Sequence, residues 1–187
     1  MKRLIPLLLL MCATTAFAAP ETFEIDGSHT FERFSYNHLG FSTQQSRFNK
    51  TSGVVVLDQK AKTGSVDVTV DIDSVETGSV GLDEHLKGPD FFNVARYPTA
   101  TFKSTKVLFS GDTPVAVDGN LTIKGVTKPV TLTVTHFKIG MNPIMKREAI
   151  GADATTTIKR SEFGLGKYVP MVGDQVTIDL SIEAQKH

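Results

Sequence analysis

The sequence predicts an all-β protein, and three observations lead to this prediction. Residues 19–187 contain 18 Val and 20 Thr against 8 Glu and no Trp, a composition typical of strands. Several segments alternate apolar and polar residues with period two, which places one dry face and one wet face on a strand. Turn residues separate these segments at the short intervals expected of a β-barrel or β-sandwich.

Nine segments are predicted as strands. The alternation is clearest in four of them, residues 66–72, 115–123, 130–134 and 176–182. It is weaker in five others, residues 23–25, 34–36, 54–57, 100–102 and 152–158. Because strands buried on both faces would be continuously apolar, the alternation indicates an antiparallel arrangement.

Glycines supply most of the predicted turns between these strands. The turn signals are Gly27, Gly40, Gly53, Gly64, Gly111-Asp112, Lys124-Gly125 and Gly173-Asp174. Residues 140–143 are expected to form a loop that reaches into solvent. Only residues 82–87 and 90–93 look helical, and both segments are short.

An antiparallel fold with this many strands must protect its edges, either by stacking two sheets or by closing into a barrel. Many candidate inward positions carry small residues, which favours a hollow interior: Ala100, Gly119, Ala152, Ala154 and Thr156. The alternative is that large residues on the facing strands fill the space. Val70 and Ile123 are expected to be ordinary core residues.

Residues 1–18 have the pattern of a secretory signal peptide. Lys2 and Arg3 precede the apolar run at residues 4–13, and small residues at 16 and 18 match the cleavage pattern. The domain organisation is therefore a signal peptide at 1–18 and one domain at 19–187, with a periplasmic location and no later transmembrane segment. A lipoprotein anchored through Cys12 is disfavoured, because Met11 stands where a small residue is needed.

Charge and titratable residues exclude several functions. The chain has 20 basic and 20 acidic residues, which argues against nucleic-acid binding. No zinc-ligand spacing, nucleophile elbow or phosphate-binding loop is present, so no metal, cofactor or catalytic residue is predicted and the protein is not expected to be an enzyme. The one local acid–base cluster, residues 83–85, is interpreted as charged residues on an exposed short helix.

Several motifs together resemble the YceI-like family of bacterial periplasmic proteins. They are DGSH at 26–29, HLGFS at 38–42, DEHL at 83–86, DFF at 90–92, YPTATFKS at 97–104, GNLTIKGVTKPVTL at 119–132 and RSEFG at 160–164. They occur in order and extend over residues 23–183. The resemblance implies an extended, eight-stranded, lipocalin-like antiparallel barrel with one or two short helices, and an elongated apolar cavity.

The same resemblance implies a function. Members of the family bind polyisoprenoid chains or other long amphiphilic lipids, so we expect binding, transport or sequestration of such a lipid, with a quinone-type molecule as one ligand and a homodimer compatible with the sequence. The residues expected to contact the lipid are Phe34, Tyr36, His38, Phe41, Phe48, His85, Phe91, Phe92, Tyr97, Phe102, Leu121 and Phe163. Two alternatives are a lipid-modifying enzyme using the same cavity and an interaction protein whose barrel is filled by its own side chains.

Four positions depart from the family pattern. Glu32 stands where an apolar residue is usual, Ser46 replaces a glycine, Thr51 replaces an aromatic residue and Leu82 replaces an arginine. The cavity is expected to survive these changes, while the preference for a lipid head group is expected to differ.

Overall fold

A computed structural model describes residues 19–186, so the predicted signal peptide and His187 lie outside the described residues. Within this range the chain forms eleven strands and one α-helix. The strands are β1 Glu21–Ile25, β2 Phe31–His38, β3 Ser42–Phe48, β4 Thr51–Asp58, β5 Thr63–Asp71, β6 Val75–Glu76, β7 Thr99–Ser110, β8 Thr113–Ile123, β9 Val126–Met141, β10 Glu148–Lys159 and β11 Val172–Lys186. Helix α1 is Val80–Lys87, and two 3₁₀ turns cover Ile72–Ser74 and Arg160–Phe163.

Eight of these strands close into an antiparallel barrel in the order β1, β4, β5, β7, β8, β9, β10 and β11, with β11 paired back to β1. Closure leaves the ring without unpaired edges. The barrel predicted from the resemblance is confirmed. The described part of the chain contains no helix long and apolar enough to span a bilayer.

The strand β11 is long enough to pair with two successive strands. Its last residues, 184–186, pair with β1, and residues 172–181 pair with β2. The strands β1 and β2 thus follow one another along the same side of β11, and β3 continues the sheet from β2. Through β2, β3 and β6 the same sheet continues beyond the ring, and β6 lies next to α1.

Eight of the nine predicted segments lie wholly in strands, and two strands were not predicted. The ninth segment, 66–72, ends one residue beyond β5, because Ile72 begins a 3₁₀ turn. The strand β3, with the sequence STQQSRF, is mostly exposed and has no apolar alternation. The strand β6 has only two residues. Residues 90–93 form turns, so the helical prediction for that segment was wrong.

Three of the predicted glycine turns are also wrong, because Gly53, Gly64 and Gly173 lie within strands. At Gly53 the reason is close packing. A Cβ atom there would lie 2.2 Å from the carbonyl oxygen of Asp67 on the neighbouring strand. The solvent loop predicted at residues 140–143 is only partly confirmed: Gly140 and Met141 still belong to β9, and the turn covers residues 142–147, where Ile144 is 86% exposed.

The two ends of the barrel differ in how they are filled. One end, which we call the closed end, is packed by Phe23, Leu57, Ile150 and Ala184 with their partly buried neighbours. At the other end, which we call the mouth, Leu86 of α1 packs with Phe48, Phe163 and other apolar residues of the barrel. The space between these two layers contains the cavity described next.

Candidate functional site

A cavity of about 570 Å³ lies inside the barrel between the closed end and α1. Most of its wall is aliphatic or aromatic. The apolar lining residues are Phe34, Tyr36, Phe48, Val66, Val68, Val70, Leu82, Leu86, Phe91, Phe92, Ala100, Phe102, Leu121, Ile123, Val130, Leu132, Ile158, Leu165, Tyr168, Val172, Val176, Ile178, Leu180 and Ile182. The prediction of a hollow interior is therefore confirmed for this part of the barrel.

Strand pairing sets the length of the cavity. Every second residue of β2 from Glu32 to His38 lines it, because alternate side chains of a strand share a face. Glu32 pairs with Leu180 and His38 pairs with Val172 on β11. At about 3.3 Å per residue, the wall between Glu32 and His38 is roughly 20 Å long. His38 lies at the mouth, and the cavity wall continues past the level of Glu32 to Ile182 of β11.

Aromatic rings and an ion pair form the mouth. The His85 ring lies 4.9 Å from the Phe91 ring and 6.3 Å from the Tyr168 ring, measured between centroids. Lys167 forms an ion pair with Asp90, which lowers the pKa of Asp90 and raises the pKa of Lys167. This pair joins the segment after α1 to the loop between Arg160 and β11.

Arg160 holds that loop from inside. Its guanidinium group donates to the backbone carbonyls of Gly173 at 2.8 Å, Lys167 at 2.9 Å and Val172 at 2.8 Å, and also to that of Leu165. The side chain is buried, and this burial lowers its pKa. Leu165, Tyr168 and Val172 belong to the cavity wall, so Arg160 shapes one side of the mouth.

Glu32 is a buried carboxyl group in this apolar wall. It is 8% exposed, and the Thr51 hydroxyl donates to its Oε2 at 2.5 Å. Burial raises the pKa of Glu32. No cation lies within ion-pair distance of it among residues 19–186. Two of the four departures from the family pattern, at positions 32 and 51, are thus in contact.

The structure brings nine of the twelve predicted contact residues to the cavity wall: Phe34, Tyr36, His38, Phe48, His85, Phe91, Phe92, Phe102 and Leu121. Three lie elsewhere. Phe41 is 90% exposed, because the alternation of β2 ends at His38 and the chain turns outward. Phe163 is 1% exposed and packs in the core, and the Tyr97 ring lies against Gly125. Contact with a lipid remains a prediction for all twelve.

Several wall residues were not identified from the sequence. Val70 and Ile123, expected to be ordinary core, line the cavity. The period-two pattern of β11 was recognised, but it did not show that Val176, Ile178 and Leu180 face a cavity instead of a packed core. Glu32 was noticed only as a departure from the family pattern.

The three residues of the acid–base cluster at 83–85 have different partners. Asp83 accepts hydrogen bonds from the backbone N–H and the hydroxyl of Thr77 at 2.8 and 2.7 Å and so anchors the start of α1. Glu84 pairs with Lys87, whereas His85 faces the mouth. Residues 19–186 contain no group of three His, Cys, Asp or Glu side chains that could hold a metal ion.

A closed antiparallel barrel with one packed end and an apolar cavity beneath a short helix defines a lipocalin-like barrel protein. The chain belongs to the YceI-like family, whose domain model matches residues 23–184. The UPF0312 proteins of Pseudomonas aeruginosa (strain LESB58) and Yersinia pestis (strain Pestoides F) are both 37% identical to it. These matches cover 93% and 94% of this chain and 91% of each relative.

Solved structures share the fold. BcnA of Burkholderia cenocepacia superposes with a TM-score of 0.74 at 28% identity, covering 86% of this chain and 99% of BcnA. The Campylobacter jejuni YCEI protein gives 0.69 at 27% identity, covering 81% and 90%. A domain of Saccharophagus degradans described as polyisoprenoid-binding gives 0.67 at 17% identity, covering 88% and 98%. At that identity the last match shows the fold alone.

Proposed function

We propose that this protein binds a long-chain isoprenoid-type lipid inside the barrel and carries or sequesters it in the periplasm. The observation that carries the proposal is the apolar cavity of about 570 Å³. Small-molecule sites usually occupy about 300–1,000 Å³. Membership of the YceI-like family and the shared fold with a domain described as polyisoprenoid-binding support lipid as the ligand class.

The size of the cavity makes the energetics favourable for long chains. Each buried CH₂ contributes about 0.8 kcal/mol, so twenty buried groups contribute about 16 kcal/mol. Association costs on the order of 4–15 kcal/mol. Ten buried groups would barely offset that cost. Affinity is therefore expected to rise with chain length and to depend weakly on salt.

We assign the nine wall residues named above as the lipid contacts. Phe41 takes a different role in this proposal. Its hairpin is joined to the mouth loop by a hydrogen bond from Leu39 N–H to the Met171 carbonyl at 3.1 Å. An exposed ring at that position would meet the lipid as it enters. Phe163 and Tyr97 would support the wall from behind.

The periplasmic location rests on the signal-peptide pattern of residues 1–18. Cell fractionation followed by mass measurement of the periplasmic protein tests it. Cleavage after Ala18 is expected, leaving a chain that begins at Ala19. Recovery of the uncleaved chain from the cytoplasm would contradict this part of the proposal.

The two alternatives differ in their support. A barrel filled by its own side chains agrees with the closed end, but the cavity contradicts it at the mouth end. A lipid-modifying enzyme would need acid–base groups at the wall, and the raised pKa of Glu32 is the observation in its favour. The side-chain partner of Glu32 is the Thr51 hydroxyl, which suits recognition better than proton transfer between two titratable groups.

Native mass spectrometry of protein purified from its own periplasm tests the proposal. The bound fraction is then extracted under denaturing conditions and identified. We expect a long-chain isoprenoid or related amphiphile at about one molecule per chain. A protein that carries no lipid and also ignores added polyprenols would overturn the proposal, and chemical turnover of a supplied lipid would favour the enzyme instead.

A further inference from the structure

A buried carboxyl group interrupts the apolar cavity wall at the end of β2 that lies away from His38. Glu32 is 8% exposed and pairs in register with Leu180, far from the mouth residue His38. Its register neighbours, Leu180 on β11 and Phe48 on β3, cannot form a hydrogen bond through their side chains. A carboxyl group at this position has a cost that an apolar residue would avoid.

The hydrogen-bonding capacity of Glu32 is only partly used. A carboxyl group offers two oxygens with about four acceptor positions. Thr51 donates to one oxygen and the backbone N–H of Glu32 itself also donates to the carboxyl group, whereas no other side chain in residues 19–186 forms a hydrogen bond with it. Burial without a cationic partner raises the pKa of this group, which favours the protonated form.

A hydroxyl group is the ligand chemistry that suits this carboxyl in both protonation states. It donates to a carboxylate and accepts from a carboxylic acid, because a hydroxyl has one donor hydrogen and two acceptor lone pairs. An ammonium group could only donate. A terminal methyl group could do neither and would leave the carboxyl as it is.

We propose that Glu32 makes the cavity selective for long-chain lipids that carry a hydroxyl group, and that this group binds at Glu32 with the chain extending along β2 towards His38. The inference rests on the proposed function and adds the ligand subclass and its orientation. The mouth competes poorly for the same group at Arg160, because the guanidinium already donates to four backbone carbonyls. The β2 wall between Glu32 and His38, roughly 20 Å long, is left for the hydrocarbon chain.

A competition experiment tests the selectivity. Delipidated protein is mixed with equal amounts of geranylgeraniol and the hydrocarbon in which a methyl group replaces its CH₂OH group. The bound compounds are then extracted and their ratio is measured. We expect the unmodified protein to prefer the alcohol on the order of tenfold, the ratio that one net hydrogen bond supplies.

Variants locate the preference within the molecule. Glu32→Leu should reduce the alcohol-to-hydrocarbon ratio to 1 or below, because a hydroxyl buried there would lose its partner. Glu32→Gln, which keeps both a donor and an acceptor, should retain the preference for the alcohol. Glu162→Leu removes an exposed carboxyl outside the cavity and should leave the ratio unchanged. Thermal unfolding checks that each variant is folded, and Glu32→Met replaces Glu32→Leu if the branched side chain prevents folding.

Each outcome separates the inference from the function on which it rests. Equal uptake of alcohol and hydrocarbon by the unmodified protein overturns the selectivity but leaves lipid binding intact. A preference that survives Glu32→Leu and is lost in His38→Leu places the hydroxyl at the mouth and overturns the inference. Failure to take up either compound overturns both proposals.

Discussion

Replacing Arg160 by Met is expected to destabilise the fold strongly, because one side chain holds the whole mouth loop. Its guanidinium group donates to four backbone carbonyls between Leu165 and Gly173. A hydrogen bond that involves a charged group contributes about 1.5–3 kcal/mol, so four would give about 6–12 kcal/mol before costs. Burial of the cation and access of water to the released carbonyls offset part of this. We expect a loss of about 3–5 kcal/mol.

Urea unfolding followed by far-UV circular dichroism measures this change, since the chain has no Trp to serve as a fluorescent probe. Lys159→Met is the matched control, because it removes the same charge from an exposed neighbour. Arg160→Lys should give an intermediate loss. Its ammonium group retains the charge but cannot reach four carbonyls from a single nitrogen in the same planar arrangement.

The reasoning would be refuted by a loss below about 1 kcal/mol in Arg160→Met, the range of an ordinary surface substitution. A loss equal to that of Lys159→Met would show that charge alone matters. In lipid-binding assays the folded fraction of Arg160→Met should also bind more weakly, because Tyr168 and Val172 of the released loop belong to the cavity wall.

Three further predictions concern the wall, the core and the buried carboxyl. Thr156→Phe should place a ring in the cavity and weaken binding of a long-chain lipid at least about tenfold in a displacement titration. Thr157→Phe, on the exposed face of the same strand, should leave binding unchanged. Equal effects of the two substitutions would contradict the assignment of Thr156 to the cavity wall. Phe163→Ala should cost about 3–5 kcal/mol in urea unfolding, since Phe163 is 1% exposed, and a loss below about 1 kcal/mol would contradict its core role. Burial raises the pKa of Glu32 above its ordinary value of 4.5. As the pH rises, Glu32 therefore loses its proton in the unfolded chain before it does so in the folded protein. The free energy of unfolding that protonated Glu32 contributes at low pH decreases as the pH rises through the pKa of Glu32 in the folded protein. The stability of Glu32→Gln relative to the unmodified protein, measured by urea unfolding, should accordingly be greater at about pH 7 than at about pH 4. Glu162→Gln serves as the control. A difference in stability between Glu32→Gln and the unmodified protein that is the same at both pH values would oppose this prediction.

A strand could be predicted from the sequence wherever one of its faces packs in the interior and the other is exposed to solvent. This condition holds for β5 and β11, whose alternation is complete, and it fails for β3. The strand β3 pairs with β2 along its length but with only two residues of β6 on its other side. It therefore has little apolar surface to bury, and its polar sequence resembles that of a loop.

Glycine predicted turns less reliably, because a glycine can be required either by a turn or by the close approach of a neighbouring strand. At Gly40 the backbone has φ of 78°, a conformation that turns require and that other residues seldom adopt. Gly53 is needed because the neighbouring backbone lies too close for any side chain. The sequence around the two positions does not distinguish a turn from a close approach.

The positions of the site residues could be predicted only where a strand fixes their direction. Phe34 and Tyr36 lie on β2 with alternating faces, and both reach the wall. Phe41 lies just beyond the end of that strand, where alternation no longer determines which way a side chain points. Arg160 donates to backbone carbonyls whose positions depend on the path of a loop. The apolar and polar alternation of the sequence does not describe that path.

The small inward residues correctly predict a cavity, but only some of them create its space. Ala100 and Thr156 do leave room at the wall, but Gly119 does not. A Cβ atom at Gly119 would lie 2.4 Å from the Phe102 ring, so that glycine accommodates a neighbouring aromatic side chain. Ala154 packs in the same cluster as Phe102. The small residues of the barrel thus compensate for large ones across adjacent strands, as close packing requires. The open space instead lies between the packed closed end and the residues of α1, within the wall that Ala100 and Thr156 help to line.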